Sequence, residues 1–153
     1  MFVVIVGCGR VGSAVAQRVL RAGHEVSCLD EDPEAHARLE VDLEGSWEDA
    51  GGRFTVGTAL ETDALQEAGI EKADAFIAST DGDNTNIVVA QIADKRFNVP
   101  TVVARVLDPR RNEWYESQGL RTISGTLFAI RTLEEAVVGA AEPASEKEPG
   151  EDG

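Results

Sequence analysis

Apolar residues in this chain fall into two patterns that alternate along its length. Short unbroken runs come first. Phe2-Val3-Val4-Ile5-Val6 is one, and β-branched residues without polar alternation predict a strand buried on both faces, as in a parallel sheet. Between such runs the apolar positions recur at three- and four-residue steps. Val11, Ala14, Val15, Val19 and Ala22 do so, predicting a helix that Gly23 stops. Residues 25–29 form a second strand with Asp30 at its end. Asp32-Pro33 opens a second helix carrying Ala35, Leu39 and Leu43. A polar, glycine-rich loop over 44–52 follows, and its Trp47 is expected to fold back over the domain edge rather than meet a partner.

The alternation continues. Residues 53–56 make a third strand. A helix over 61–68, with Leu60, Ala64, Leu65 and Ala68 inward, ends at Gly69. Residues 73–78 make a fourth strand. The next helix, from about 84 to 96, is expected to turn Ile87, Val88, Gln91 and Ile92 inward. Residues 101–104 form a fifth strand, Pro109 opens a helix to about 118, and 120–123 read as a weak sixth strand. A last helix over 126–140 repeats Leu127, Ile130, Leu133, Val137 and Val138. Strict alternation of this kind predicts an α/β fold, a Rossmann-type doubly wound parallel sheet of six strands ordered 3-2-1-4-5-6 with helices on both faces.

The turn after the first strand is Gly7-Cys8-Gly9-Arg10-Val11-Gly12. Gly7 allows a sharp exit from the strand, Gly9 lets a pyrophosphate approach the backbone, and Gly12 lets the helix pack closely. The helix begins with free N–H groups and a positive dipole end, a favourable place for phosphate. Asp30 stands roughly 20 residues on, where a carboxylate accepts ribose hydroxyls. In a doubly wound sheet ligands bind beyond the carboxyl ends of the strands, at the switch point. That rule adds Gly57-Thr58-Ala59 after strand three and Ser79-Thr80-Asp81 after strand four. Asp30, Glu31 and Asp32 would repel the additional phosphate of NADP, so NAD(H) or an adenine nucleotide (ATP, ADP or AMP) is expected.

At 153 residues the chain suits one domain with a real core, and little is left over for a substrate domain. Its formal net charge of −14 argues against nucleic acid and against direct binding of anionic lipid. Part of that acidity sits in residues 141–153, which hold Glu142, Glu146, Glu148, Glu151 and Asp152 and are expected to be a disordered tail after a domain over 1–140. The cysteines, Cys8 and Cys28, have neither CxxC nor metal-ligand spacing and read as small buried residues of a reducing cytosol. No signal peptide or membrane span is expected. No catalytic set stands out: His24 and His36 read as surface histidines, and Asp81, Asp83 and Asp94 lack metal-loop spacing.

Four segments together resemble the nucleotide-binding N-lobe of RCK domains, also called KTN or TrkA-N domains. They are the arginine-bearing turn 7–12; Val56-Gly57-Thr58-Ala59 with Leu65-Gln66-Glu67-Ala68-Gly69-Ile70; residues 73–81 with Asp83-Asn84-Thr85-Asn86; and Ala104-Arg105-Val106. The resemblance implies a cytoplasmic, non-enzymatic regulatory subunit of a Trk/Ktr-type potassium transporter. It would bind NAD(H) or an adenine nucleotide and sit at the inner face of the membrane through an integral-membrane transporter or channel subunit. It further implies a homodimer through the last helices, often built into a ring. By the same resemblance Arg10 either reaches a nucleotide phosphate or faces solvent. Arg105 either bears on the ligand or dimer contact, or pairs with a nearby carboxylate. Complete members usually carry a C-lobe after the crossover helix, and the 44–52 loop is longer than the family usually needs. The competing reading is a small NAD-dependent oxidoreductase or a fragment of one.

Overall fold

The computed structural model describes residues 1–141. The tail expected beyond the last helix lies outside the described residues. Six parallel strands form one sheet in the order β3-β2-β1-β4-β5-β6. They are β1 (Phe2–Val6), β2 (Glu25–Asp30), β3 (Gly52–Val56), β4 (Ala75–Ala78), β5 (Thr101–Arg105) and β6 (Thr122–Ile123). The helices are α1 (Arg10–Arg21), α2 (Ala35–Leu39), α3 (Thr62–Glu67), α4 (Asp83–Lys95), α5 (Pro109–Ser117) and α6 (Gly125–Ala141), with a single 3-10 turn at Ile70–Lys72.

β1 is the centre, paired with β2 on one side and β4 on the other. Its side chains alternate between faces, as the strand period of two requires. Val4 and Val6 join a core with Leu65, Phe76, Val89 and Ala93, under α3 and α4. Val3 and Ile5 join the opposite core with Ala16, Cys28, Leu39 and Trp47, under α1 and α2. Burial on both faces is why these strands read as continuous apolar runs.

Three expectations need correction. The inner face of α4 is Asn86, Ile87, Val89, Ala90 and Ala93, whereas Val88 and Gln91 are exposed. The buried stripe is built of alanines and one internally bonded amide, so residue polarity misplaces it. Leu60, expected inward, is 52% exposed and borders the cleft described below. The second helix stops at Leu39 instead of continuing to Leu43. Asp42 adopts a positive φ of 61°, and the Glu40 carboxylate accepts the Trp47 N–H at 3.0 Å, pulling the following loop inward. Trp47 does fold back: it is fully buried, and its indole N–H donates to the Arg53 carbonyl at 3.0 Å.

Candidate nucleotide site

The carboxyl ends of β1 to β4 open on a cleft of about 460 Å³. Gly7 (φ +88°) turns the chain out of β1, and its N–H donates to the Leu29 carbonyl at 2.9 Å. A Cβ on Gly7 would lie 2.6 Å from the Ser79 and Thr80 backbone, and one on Gly12 would lie 1.8 Å from the Gly7 carbonyl oxygen. Both positions therefore need glycine to bring β1, α1 and the β4 loop together. Gly9 is the N-cap of α1, supplies no side-chain cap, and no acid sits in the first turn. The leading N–H groups of α1 stay available to an anion.

Asp30 lies beside this turn. One carboxylate oxygen accepts the Cys8 N–H at 2.6 Å and the other the Asp32 N–H at 2.9 Å. Two anchors hold the carboxylate in one orientation, and each oxygen keeps a lone pair for a ribose hydroxyl. Glu31 and Asp32 continue the rim, followed by Gly57, Thr58 and Ala59 from the β3–α3 turn and Ser79, Thr80 and Asp81 from the β4–α4 turn. The Ser79 hydroxyl is buried and has no hydrogen-bond partner.

The fully buried Asn86 fixes the β4 loop. Its carbonyl oxygen accepts from the Thr80 N–H at 2.9 Å and the Thr80 hydroxyl at 2.6 Å. Its amide donates to the Thr80 and Arg105 carbonyls, each at 2.9 Å. Asp83 accepts the N–H groups of Leu107 at 2.7 Å and Asp108 at 3.1 Å. The first turn of α4 thus ties the cleft to the segment after β5.

Of the residues expected at the site, Gly7, Gly9, Asp30, Glu31, Gly57, Thr58, Ala59, Ser79, Thr80 and Asp81 line the cleft. Cys8, Arg10, Val11, Gly12 and Arg105 do not. The Cys8 side chain is fully buried, Arg10 and Val11 are exposed on the first turn of α1, and Gly12 packs against the turn. The Arg105 guanidinium lies 4.0 Å from the fully exposed Asp81 carboxylate. Cys28 sits beneath the turn, and its thiol is pushed well above the usual range by a hydrogen bond with Cys8, then by burial and by the charges of Cys8 and Asp30.

Sequence reading missed Arg38. It enters the cleft from α2, donates from Nε to the Cys8 carbonyl at 2.9 Å, and pairs with Asp32 at 3.2 Å. The available signal was a cation six residues beyond Asp32, on the helix that follows β2. Its two partners already engage it, so it lies between the turn and the acidic rim as a brace.

A family model described as the TrkA-N domain matches residues 3–126. The chain is 44% identical over 144 residues to the Trk system potassium uptake protein TrkA of Streptomyces coelicolor, covering 94% of this chain and 61% of that protein. Among solved structures, the Kef CTD of Shewanella denitrificans in its AMP-bound form superposes with a TM-score of 0.72 at 23% identity, over 93% of this chain and 83% of that one. The GsuK channel bound to NAD superposes with a TM-score of 0.73 at 21% identity, over 91% of this chain and 23% of that one. At these identities the structural likenesses show the fold.

Proposed function

This chain belongs to the TrkA-N domain family, and from that premise we propose that it is a nucleotide-sensing regulatory subunit of a Trk/Ktr-type potassium-uptake system. The observation that carries the reading is the cleft at the switch point. An uncapped helix N-terminus and a doubly anchored Asp30 stand side by side at its edge. That pairing suits an adenosine ribose joined to phosphate. NAD(H) is the first candidate, with ATP, ADP or AMP as the alternative. Gly7, Gly9 and the start of α1 receive phosphate, Asp30 receives the ribose, and Thr58, Ala59, Thr80 and Asp81 border the rest of the ligand.

Binding favours one geometry of a homodimer, and that geometry is passed to an integral-membrane potassium transporter or channel subunit at the cytoplasmic face. The ligand acts only through its differential affinity for the two geometries. The apolar positions left open on α6 are the surface through which copies pair. The chain covers 61% of the Streptomyces relative, so the activity of a whole regulator rests on this proposal.

Isothermal titration with NADH and with ATP tests it. Asp30→Ala is expected to weaken binding at least about tenfold, because a hydrogen bond to a charged group contributes about 1.5–3 kcal/mol. Unchanged affinity would remove the ribose assignment. Incubation with NADH should give binding without consumption; steady oxidation would favour the oxidoreductase reading.

A further inference from the structure

The peptide units of the glycine turn are held one by one, each by a different group. The Gly7 N–H donates to the Leu29 carbonyl at 2.9 Å, and the Cys8 N–H donates to Asp30 at 2.6 Å. The Gly9 carbonyl accepts from the Ser13 N–H at 3.0 Å and from the Ser13 hydroxyl at 2.7 Å. The unit between them, Cys8 C=O with Gly9 N–H, is held from α2, where Arg38 Nε donates to the carbonyl at 2.9 Å. Resting on the nucleotide reading above, we propose that Arg38 is a positioning residue: by fixing this peptide it keeps the Gly9 N–H turned toward the phosphate.

A trans peptide points its C=O and N–H in opposite directions, and no cis bond occurs among the described residues. A carbonyl drawn to Arg38 therefore leaves the Gly9 N–H facing away from the guanidinium. The flipped arrangement would set a carbonyl oxygen against the anion. Sterics do not prevent that flip. Glycine tolerates either sign of φ, and even a Cβ at Gly9 would meet nothing within 4 Å. The bonds to Asp30 and Ser13 do not prevent it either, since they hold the units on either side. The restraint is the Arg38 bond, charge-assisted and in partly buried surroundings.

Arg38 is itself held in place. Its Nη2 pairs with Asp32 at 3.2 Å, and the other Asp32 oxygen accepts the Glu34 N–H at 2.9 Å. Gln17 of α1 donates to the carbonyls of Leu39 at 3.0 Å and Val41 at 2.6 Å, tying the end of α2 to α1. Asp32 offsets the charge of the guanidinium, so its effect on the ligand passes through the peptide rather than through direct attraction.

Amide NMR spectra of the full chain test this, first without ligand and then in titrations with AMP and with adenosine. Without ligand, Arg38→Ala is expected to move the Gly9 amide signal or split it in two, while the amides of β5 stay in place. The same variant should bind AMP at least about tenfold more weakly. Its binding of adenosine, which lacks the phosphate, should be unchanged. An equal loss for both ligands, or no loss for AMP, would overturn the proposal. So would a loss for AMP with an unmoved Gly9 signal, which would make Arg38 a simple attractant of the anion. A wild type that binds neither ligand would instead defeat the nucleotide reading, and the Gly9 signal would then decide the role of Arg38 by itself. Should Arg38→Ala fail to fold, Arg38→Met keeps the apolar stem without the donors and decides in the same way.

Discussion

The Asp30 carboxylate accepts one N–H from the glycine turn and one from its own strand end, so the site is oriented by its own backbone before any ligand arrives. Gly9 differs from its neighbours in that turn. A Cβ there would meet nothing within 4 Å, whereas one on Gly12 would collide with the Gly7 carbonyl. Gly9→Ala should therefore change folding stability by no more than about 1 kcal/mol. It should still cost at least about tenfold in nucleotide affinity, because the methyl group occupies the path of the phosphate. Parallel thermal melts and titrations separate the two effects, and unaltered affinity would mean that no phosphate approaches there. These roles were legible in the sequence because glycine spacing and a strand-end acid are local signals. Asn86 and Arg38 were not. Their partners lie on other segments: Arg105 is nineteen residues from Asn86, and the Cys8 carbonyl is thirty residues from Arg38.

At the scale of elements, the six strands and their order could be read from the alternation, because β1, β4 and β5 are built on short apolar runs, β1 and β3 are closed by Gly7 and Gly57, and β2 ends on Asp30. The face of α4 could not, since its buried stripe is small and partly polar. The same limit affected α2, whose end is set by Glu40 reaching forward to Trp47 rather than by a local stop signal. Trp47 fills the space beside Gly52, where a Cβ would lie 2.1 Å from the indole ring. Trp47→Ala should cost about 3–5 kcal/mol of stability, read as a lower denaturant midpoint. A loss under about 1 kcal/mol would mean that the loop is held by other contacts.

For the whole molecule, the most unusual surface is α6. Phe128, Leu133 and Val137 are 70, 69 and 72% exposed, on a helix whose apolar repeat would ordinarily be buried. Covering that face with a second copy predicts a dimer by light scattering. Leu133→Glu with Val137→Glu should give monomers of unchanged fold, and a wild-type monomer at high concentration would contradict pairing through α6. No helix among the described residues is long and apolar enough to cross a membrane. Nucleotide sensing requires a ligand that binds the folded chain, and a thermal-shift series with NAD, NADH, NADP, ATP, ADP and AMP, each with and without magnesium, measures that binding. Selective stabilisation by NAD(H) or an adenine nucleotide, and none by NADP, is the predicted result, since a ligand bound only to the folded state must raise Tm. No shift with any of the six would contradict it and leave the glycine turn a structural feature of the fold.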